Sequence, residues 1–254
     1  MIHLRALGIG TVLLDIEGTT TPIAFVHDTL FPYARRHLRE LILEVEMSSP
    51  GRAWIDQLHA EWRAEQPGAD ALPEWKGNTV EEIGASALAY CEWLMDRDRK
   101  STALKTLQGL IWDRGYRAGD LESEVYPDVP RALRTWAAAG IEIGIYSSGS
   151  VQAQKLLFGA TKFGDLKPYL RAHFDTAVGS KRDAASYRSI AESLHRKPDE
   201  ILFVSDVVEE LQAARVAGLQ VVLSKRPGNP AQPDVAGLET ITTLDELTAG
   251  PSTS

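Results

Sequence analysis

The sequence predicts an α/β protein in which a long, all-helical insertion interrupts a parallel sheet. In the C-terminal half, short apolar runs alternate with amphipathic stretches of helical periodicity. A further apolar run lies near the N-terminus, and the segment between it and the others has helical periodicity alone. Strands that alternate with helices imply right-handed crossovers and a parallel sheet covered on both faces.

The N-terminal run, residues 10–16, reads Gly-Thr-Val-Leu-Leu-Asp-Ile and is typical of a buried parallel strand that ends in an acid. A turn-rich break follows at residues 19–22. Between about residues 25 and 125, apolar side chains recur at helical spacing and no strand is predicted. We expect connections between these helices at residues 47–52 and 66–73.

From Tyr126 onward the pattern alternates between strands and helices. Asp128 is predicted to cap the first of these helices, and Gly140 to end it. The predicted strands cover residues 141–146, 174–178, 200–204 and 221–223. The predicted helices cover residues 129–138, 151–158, 184–194 and 208–217. The small, polar tail after Leu247 is expected to fray.

This order of elements divides the 254 residues into two domains. We assign residues 1–22 and 122–254 to an α/β core, and residues 23–121 to a helical cap inserted after the first strand.

The composition excludes several classes of function. Hydrophobic residues make up 44% and charged residues 24%, as in an ordinary globular protein. The net charge of -8 argues against a nucleic-acid or anionic-membrane partner, because such binding needs a basic face. Neither a secretory leader nor an apolar stretch of the ~20 residues that span a bilayer is found, so we expect a cytoplasmic protein. The single cysteine, Cys91, is predicted to be a buried structural thiol.

Polar residues gather at the predicted carboxyl ends of the strands, which is where open parallel sheets bind ligands. In strand order they are Asp15 and Glu17; Ser147 and Ser148; Lys181; and Ser205, Asp206 and Glu210. Each residue alone would be an ordinary helix cap, turn residue or solvated lysine. Their joint occurrence at one edge of the sheet indicates a functional site.

This set of side chains suits the chemistry of a phosphate ester and a metal ion. Crowded carboxylates repel one another and recruit a cation, and Mg²⁺ prefers oxygen ligands. Hydroxyl groups and a lysine suit phosphoryl oxygens. An aspartate can attack phosphorus when cations neutralise the incoming charge, and Asp15 is the candidate nucleophile. Zinc-ligand spacing, a Walker loop, a dinucleotide-binding glycine motif and a serine-hydrolase elbow are missing from the sequence.

The motifs resemble those of the haloacid-dehalogenase superfamily, which implies a Rossmann-like core. The resemblance rests on Asp15-Ile16-Glu17-Gly18-Thr19, Ser147, Lys181, and Asp206 with Glu210, in that order. Glu17 departs from the usual pattern, which has a second aspartate at this position. That change is similar to the signature of the enolase-phosphatases of methionine salvage. Further similar segments are Phe31-Pro32-Tyr33, residues 98–105, Leu107-Gln108-Gly109, Tyr146–Ser150 and Arg226-Pro227-Gly228-Asn229.

The resemblance implies a phosphatase that also acts as an enolase. Its substrate would be 2,3-diketo-5-methylthiopentyl 1-phosphate, which is enolised and then dephosphorylated to 1,2-dihydroxy-3-keto-5-methylthiopentene. By the family pattern Asp15, Glu17 and Asp206 bind one Mg²⁺ per subunit, and Ser147, Ser148 and Lys181 bind the substrate. Asp15 would form an aspartyl phosphate. Glu17 would act as acid and base, and it is one candidate for the enolisation base, which the sequence does not identify.

Three alternatives remain open at this stage. A different phosphatase could use the same scaffold on a sugar phosphate or on phosphoglycolate. A phospho-acceptor signalling module also combines aspartates, a hydroxyl, a lysine and magnesium, but it carries the acceptor on a later strand and has no large cap. A non-catalytic member of the fold is disfavoured, because all the expected polar residues are present. We expect a monomer that binds a small phosphate ester.

Overall fold

The computed structural model describes residues 1–46, 49–65, 71–233 and 235–250. The chain forms two compact units, one of residues Met1–His27 with Glu122–Ser254 and the other of residues Asp28–Leu121. The first is an α/β unit and the second is helical, which confirms the predicted fold class.

The α/β unit is built on a sheet in which six strands of the described chain run parallel. In chain order they are β2 (Thr11–Leu14), β3 (Glu142–Tyr146), β4 (Ala172–Phe174), β5 (Ile201–Ser205), β6 (Gln220–Ser224) and β7 (Glu239–Ile241). Their spatial order is β4-β3-β2-β5-β6-β7. The strand order therefore reverses on either side of β2, and such a switch point opens a crevice at the carboxyl ends of the strands.

Helices cover both faces of this sheet. They are α5 (Val129–Ala138), α6 (Val151–Gly159), α7 (Ala184–Ser193) and α8 (Val208–Val216). One face buries Val12 and Leu14 of β2 against Trp136 of α5, and the other buries Leu13 against Tyr187 of α7. A strand that is buried on both faces must be apolar throughout, which explains the unbroken run in the sequence of β2. A two-residue strand, β1 (Ile2–His3), pairs with β8 (Leu247–Thr248) in a second sheet.

The described part of the helical unit holds four long helices. They are α1 (Phe31–Glu46), α2 (Ser49–Glu65), α3 (Val80–Asp96) and α4 (Thr102–Ala118). A π-helical segment, Phe25–Leu30, precedes α1. Thr79 caps α3 through the Glu82 amide, and Ser101 caps α4 through the Leu104 amide. Cys91 lies fully buried in α3, where burial raises the pKa of its thiol, so the prediction of a structural cysteine is confirmed.

The cap segment at residues 98–105, which the resemblance singled out, ties three helices together. Arg99 donates two hydrogen bonds to the Glu65 carboxylate, at 2.5 and 2.6 Å. Glu61 accepts hydrogen bonds from the Ser101 hydroxyl and from the Ala103 amide. These contacts place the start of α4 against α2, and they assign Arg99 and Ser101 a structural role in the helical unit.

Gly115→Ala is expected to destabilise the helical unit. A Cβ atom at this position of α4 would lie 2.7 Å from the ring of Tyr33, which is itself held by a hydrogen bond to Asp120. Alanine normally stabilises a helix by about 1 kcal/mol relative to glycine, whereas overpacking costs about 1–3 kcal/mol. Because the two effects have opposite signs, denaturant unfolding decides between them. We expect a net loss of stability, and a gain would show that Tyr33 moves aside without cost.

Several boundaries differ from those predicted. Strand β4 ends at Phe174, because the Asp175 carboxylate binds the amides of Val151 and Ala177 and replaces the sheet pairing expected for residues 174–178. Helix α2 already begins at Ser49, inside the connection predicted at residues 47–52, of which residues 47–48 lie outside the described chain. Of the connection predicted at 66–73, residues 66–70 also lie outside it.

Two further expectations, one for Asp128 and one for the C-terminal tail, were wrong in detail. Asp128 stands at the start of α5 but its carboxylate does not cap that helix; it accepts a hydrogen bond from the Leu244 amide and pairs with Arg226. Thr248 belongs to strand β8 and does not fray, because β1 pairs with it; residues 251–254 lie outside the described chain.

In the described residues, the structure contains no helix with the length and apolar character to cross a membrane.

Candidate active site

The candidate site lies at the carboxyl ends of β2 and β5, beside the reversal in strand order. Asp15 follows the last residue of β2, and its amide donates to the Val204 carbonyl of β5. The register places Leu14 beside Val204, so Ser205 and Asp206 come level with the loop that begins at Asp15. Parallel pairing thus brings together residues almost 200 positions apart in the chain.

Asp15 is a buried carboxylate, 5% exposed, with each oxygen engaged. Its Oδ1 accepts hydrogen bonds from the Ile16 amide at 2.7 Å and from the Lys181 ammonium at 2.7 Å. Its Oδ2 accepts a hydrogen bond from the Ser205 hydroxyl at 3.1 Å. These contacts fix the orientation of the carboxylate, which the role predicted for Asp15, in-line attack on phosphorus, would require.

Lys181 is buried between two acids and carries its charge into the centre of the site. Its Nζ lies 2.7 Å from Asp15 and 2.6 Å from Glu210. Burial alone would lower the pKa of this ammonium, but the two carboxylates outweigh burial and raise the pKa. The two carboxylates therefore favour the protonated form of the lysine, which is the form that could neutralise a phosphoryl group.

The backbone around Lys181 is held by hydroxyl groups from the sheet and from α7. Tyr187 donates to the Lys181 carbonyl at 2.7 Å, and Tyr146 donates to the Gly179 carbonyl at 3.1 Å. Ser186 donates to the Ser180 carbonyl at 2.8 Å. Although β4 ends at Phe174, seven residues earlier, these bonds bring the lysine back to the sheet edge.

Ser205 and Glu210 complete the cluster. Both residues were predicted at the sheet edge, but neither of them was assigned a role. The Ser205 hydroxyl donates to Asp15 and lies 3.0 Å from Glu210 Oε2. Burial, followed by the charge of Asp15, raises the pKa of Glu210. The sequence signal for Glu210 is its spacing of four residues from Asp206, which returns it to the same side of the first turn of α8.

Asp206 is 5% exposed and lies against the turn that follows Asp15. An ideal Cβ atom on Gly18 would lie 2.2 Å from Asp206 Oδ2, so the carboxylate occupies the space that only glycine leaves free. Burial, followed by the charge of Asp15, raises the pKa of Asp206 to about 7. A buried carboxylate beside another negative charge requires a cation to remain ionised.

Ser147 and Ser148 follow β3, one strand away from Asp15. Ser147 is 5% exposed, and its amide donates to the Phe174 carbonyl of β4 at 3.1 Å. Gln154 of α6 donates to the carbonyls of Gly149 and Phe174. This amide holds the serine turn against the sheet, with the Ser147 hydroxyl at the edge where the phosphate-binding role was predicted.

Glu17 differs from the other acids because its side chain is 44% exposed. Its Oε2 lies 3.7 Å from Nε2 of His27, which belongs to the π-helical segment. The structure thus brings Asp15, Lys181 and Asp206 together with Glu210, and it turns the Glu17 carboxylate outward.

The residues present fit a magnesium ion. Asp15 and Asp206 offer buried carboxylate oxygens, the donors that Mg²⁺ prefers, and the ion commonly uses one or two carboxylates with water and substrate phosphate. The buried Asp15 and Asp206 and the partly buried Glu210 face the single charge of Lys181, which leaves an excess of negative charge. Among the residues that the structure describes, no three His, Cys, Asp or Glu side chains form a closed metal cluster. The predicted side-chain ligation by Glu17 therefore stays a prediction.

Fold and site together have the features expected of a hydrolase with a carboxylate at the carboxyl end of a central strand, here β2, of a Rossmann-like sheet. Residues 9–218 match the haloacid dehalogenase-like hydrolase family. The chain is also similar to Enolase-phosphatase E1 of Synechococcus elongatus, with 48% identity over 95% of this chain and 98% of the relative. Enolase-phosphatase E1 of Drosophila melanogaster shares 44% identity over 88% of this chain and 86% of the relative.

A solved structure has the same fold. The UTR4 protein of Saccharomyces cerevisiae superimposes with a TM-score of 0.76 at 33% identity, covering 94% of this chain and 100% of that chain. The chain therefore belongs to the haloacid dehalogenase-like hydrolases, in their enolase-phosphatase branch.

Proposed function

We propose that the protein converts 2,3-diketo-5-methylthiopentyl 1-phosphate to 1,2-dihydroxy-3-keto-5-methylthiopentene and inorganic phosphate. The observation that carries this proposal is the 48% identity to an enolase-phosphatase over nearly the whole of both chains. The buried Asp15–Lys181 pair supports the phosphatase half of the reaction.

A relative with two activities supports the choice of substrate. The Vitis vinifera relative, 47% identical over 93% of this chain and 46% of the relative, is named a probable bifunctional methylthioribulose-1-phosphate dehydratase/enolase-phosphatase E1. Loss of water from a methylthioribulose phosphate leaves a diketone that still carries its phosphate ester. A reaction that consumes such a diketone is therefore the step that follows the dehydratase.

The first half-reaction is an enolisation. A base removes a proton from the carbon that bears the phosphate ester, and the electron pair moves to the neighbouring carbonyl oxygen. Glu17 is our candidate base, because its carboxylate is the accessible acid next to the nucleophile and is one methylene longer than aspartate.

The second half-reaction is phosphoryl transfer. Asp15 attacks phosphorus, the bond to the substrate oxygen breaks, and Glu17 supplies the proton that this oxygen takes up. Lys181 and the Ser147 and Ser148 hydroxyls hold the phosphoryl oxygens. Water, deprotonated by Glu17, then attacks phosphorus, breaks the bond to Asp15 and releases phosphate.

Mg²⁺ would be held by Asp15 and Asp206, with Glu17 as the third predicted ligand, one ion per subunit. When bound, it neutralises charge on the phosphoryl oxygens and on the attacking carboxylate. We further propose that the enzyme works in the cytoplasm as a monomer. Light scattering coupled to size exclusion tests the oligomeric state directly.

The decisive experiment follows the diketo phosphate spectrophotometrically with Mg²⁺, and then with excess chelator, while released phosphate is assayed in parallel. We expect a transient enol absorbance followed by phosphate release, both abolished by the chelator. Release of phosphate from generic esters, with none from the diketo phosphate, would leave Asp15 as nucleophile but refute the proposed substrate. A stable aspartyl phosphate without turnover would instead favour a signalling module.

Glu17→Asp is expected to separate the two half-reactions. Aspartate keeps the carboxylate but withdraws it by one methylene, so enolisation should slow about 100-fold while phosphoryl transfer stays within about tenfold of wild type. The first rate is the rise of the enol absorbance, and the second is hydrolysis of p-nitrophenyl phosphate. Glu209→Asp, at an exposed position of α8, is the matched control. Equal slowing of both steps would refute separate roles for Glu17.

A further inference from the structure

The segment Arg226-Pro227-Gly228-Asn229 lies directly after β6 and has no part in the chemistry described above. It forms a tight turn, in which the Asn229 amide donates to the Arg226 carbonyl at 3.1 Å and Gly228 has a φ of 86°. Proline at the second position and a left-handed glycine at the third are what a type II turn requires. The turn projects Arg226 and Asn229 toward the loop that follows Asp15.

Asn229 binds the residue that comes directly after Glu17. Its Nδ2 donates to the Gly18 carbonyl at 2.9 Å, and the Ser224 hydroxyl donates to the same oxygen at 3.3 Å. Only the amide nitrogen of Asn229 can donate to a carbonyl, so this contact fixes the orientation of the side-chain amide. Gly18 has a φ of 66°, the point at which the chain reverses after Glu17.

Arg226 holds the next carbonyl of the same loop. Its Nε donates to the Thr19 carbonyl at 3.0 Å and its Nη1 to the Thr242 carbonyl at 3.0 Å. Its Nη2 lies 2.8 Å from the buried Asp128 carboxylate, and its guanidinium stacks 4.5 Å from the ring centre of Tyr126. The arginine is thus an anchor that joins the loop to the body of the α/β unit.

The backbone amides of this loop are also held by hydrogen bonds. The amides of Thr19, Thr20 and Thr21 all donate to the Ile16 carbonyl, at 2.9 to 3.2 Å. With the amides held from within and the carbonyls of Gly18 and Thr19 held by the turn, the backbone on the C-terminal side of Glu17 is fixed. The direction of the exposed Glu17 side chain is then set by a backbone that Asn229 and Arg226 hold.

We propose that Asn229 is a positioning residue for Glu17, and that Arg226 anchors the turn from which it acts. This inference rests on the acid and base role of Glu17 under the proposed function. Asn229 does not touch the reacting atoms; it holds the Gly18 carbonyl so that the Glu17 carboxylate meets the substrate in one orientation. Small displacements of a catalytic group are costly, about 100-fold in rate for roughly 1 Å.

Asn229→Ala is the variant that tests this role. Replacing Arg226 would leave Asp128 buried without its partner, which risks unfolding the unit and would not inform on positioning. Asn229→Ala removes one part-buried donor to the Gly18 carbonyl and leaves that ion pair intact. Lys225→Ala, at the exposed neighbouring position, is the matched control, and Glu17→Gln is the reference for complete loss of the acid and base.

Two rates are compared in the Mg²⁺-loaded enzyme. Release of p-nitrophenolate in a single turnover reports attack by Asp15, because this leaving group departs without protonation. Steady-state turnover of the diketo phosphate reports the steps that need Glu17. For Asn229→Ala we expect nitrophenolate release within about threefold of wild type and diketo phosphate turnover lowered about tenfold, the same pattern as Glu17→Gln in weaker form.

Other outcomes overturn the inference in recognisable ways. Equal loss of both rates would mean that Asn229 supports the fold of the whole site. A rise in the Mg²⁺ concentration needed for nitrophenolate release would assign Asn229 to the metal site beside Asp206. Unchanged rates would show that it has no role. If Glu17→Gln left both rates intact, or wild type ignored the diketo phosphate, the proposed function itself would fall and the inference with it.

Discussion

Asp15→Asn is expected to lower turnover by at least about 10⁴-fold, the scale on which removal of a nucleophile usually acts. Asparagine keeps the shape of the side chain and can still accept a hydrogen bond from Lys181 or Ser205. It cannot attack phosphorus as an anion. The charge of Asp15 raises the pKa of both Asp206 and Glu210, so the variant also relieves repulsion within the buried cluster. We therefore expect it to unfold at the same temperature as wild type or a higher one.

The measurement combines steady-state rates with chemical identification of the intermediate. Wild-type enzyme quenched in acid during turnover should carry one phosphoryl group on the peptide that contains Asp15, and Asp15→Asn should carry none. Asp199→Asn, exposed at the opposite end of β5, is the matched control and should behave as wild type. A phosphorylated peptide from Asp206 or Glu210 would contradict the assignment of the nucleophile.

Gly18→Ala should reduce kcat/KM about 100-fold while leaving the protein folded. Its Cβ atom would lie 2.2 Å from Asp206 Oδ2 and 2.5 Å from Asp206 Cγ, which is closer than any contact between such atoms, and 2.9 Å from Asn229 Nδ2. The Asp206 carboxylate must therefore move away from the turn, and the proposed metal ligand is lost from its place. We also expect a higher Mg²⁺ concentration for half-maximal activity.

Gly8→Ala separates this displacement from backbone strain. Gly8 has a φ of 71°, close to the 66° of Gly18, but a Cβ atom there meets nothing within 4 Å. Both variants pay about 1–2 kcal/mol for a left-handed alanine. Gly18→Ala alone should lose activity. Equal activity of the two variants would show that Asp206 tolerates the added methyl group or is not needed.

The centre of the site could be predicted because it depends on local order. A parallel sheet brings the carboxyl ends of its strands to one edge whatever the register. The residues that directly follow β2 and β5, Asp15 and Asp206, had to meet once those strands were recognised. Lys181 was also predicted at this edge, although the predicted strand before it begins two residues later than β4. The prediction of its place held because the loop that follows β4 returns to the sheet edge.

The supports of the site could not be predicted in the same way. Asn229 and Arg226 bind carbonyls more than 200 residues earlier in the chain, and hydrogen bonds to a backbone carbonyl leave no pattern in sequence periodicity. Asp128 shows the same limit, since its position favoured a helix cap while its partners come from two distant loops. Strands β1 and β8 are two residues long, which is too short for any alternation to show.

The position of β2 in the sheet has a consequence for the order of folding. Its two neighbours, β3 and β5, begin at Glu142 and Ile201, so β2 cannot pair in this sheet until more than half of the chain has been made. The helical unit, by contrast, is one contiguous stretch of the chain, Asp28–Leu121. During synthesis we expect this stretch to fold first, while β2 has no partner until β3 has been made and no second neighbour until β5 follows. Asp15 is then among the first residues made and among the last to be locked in place.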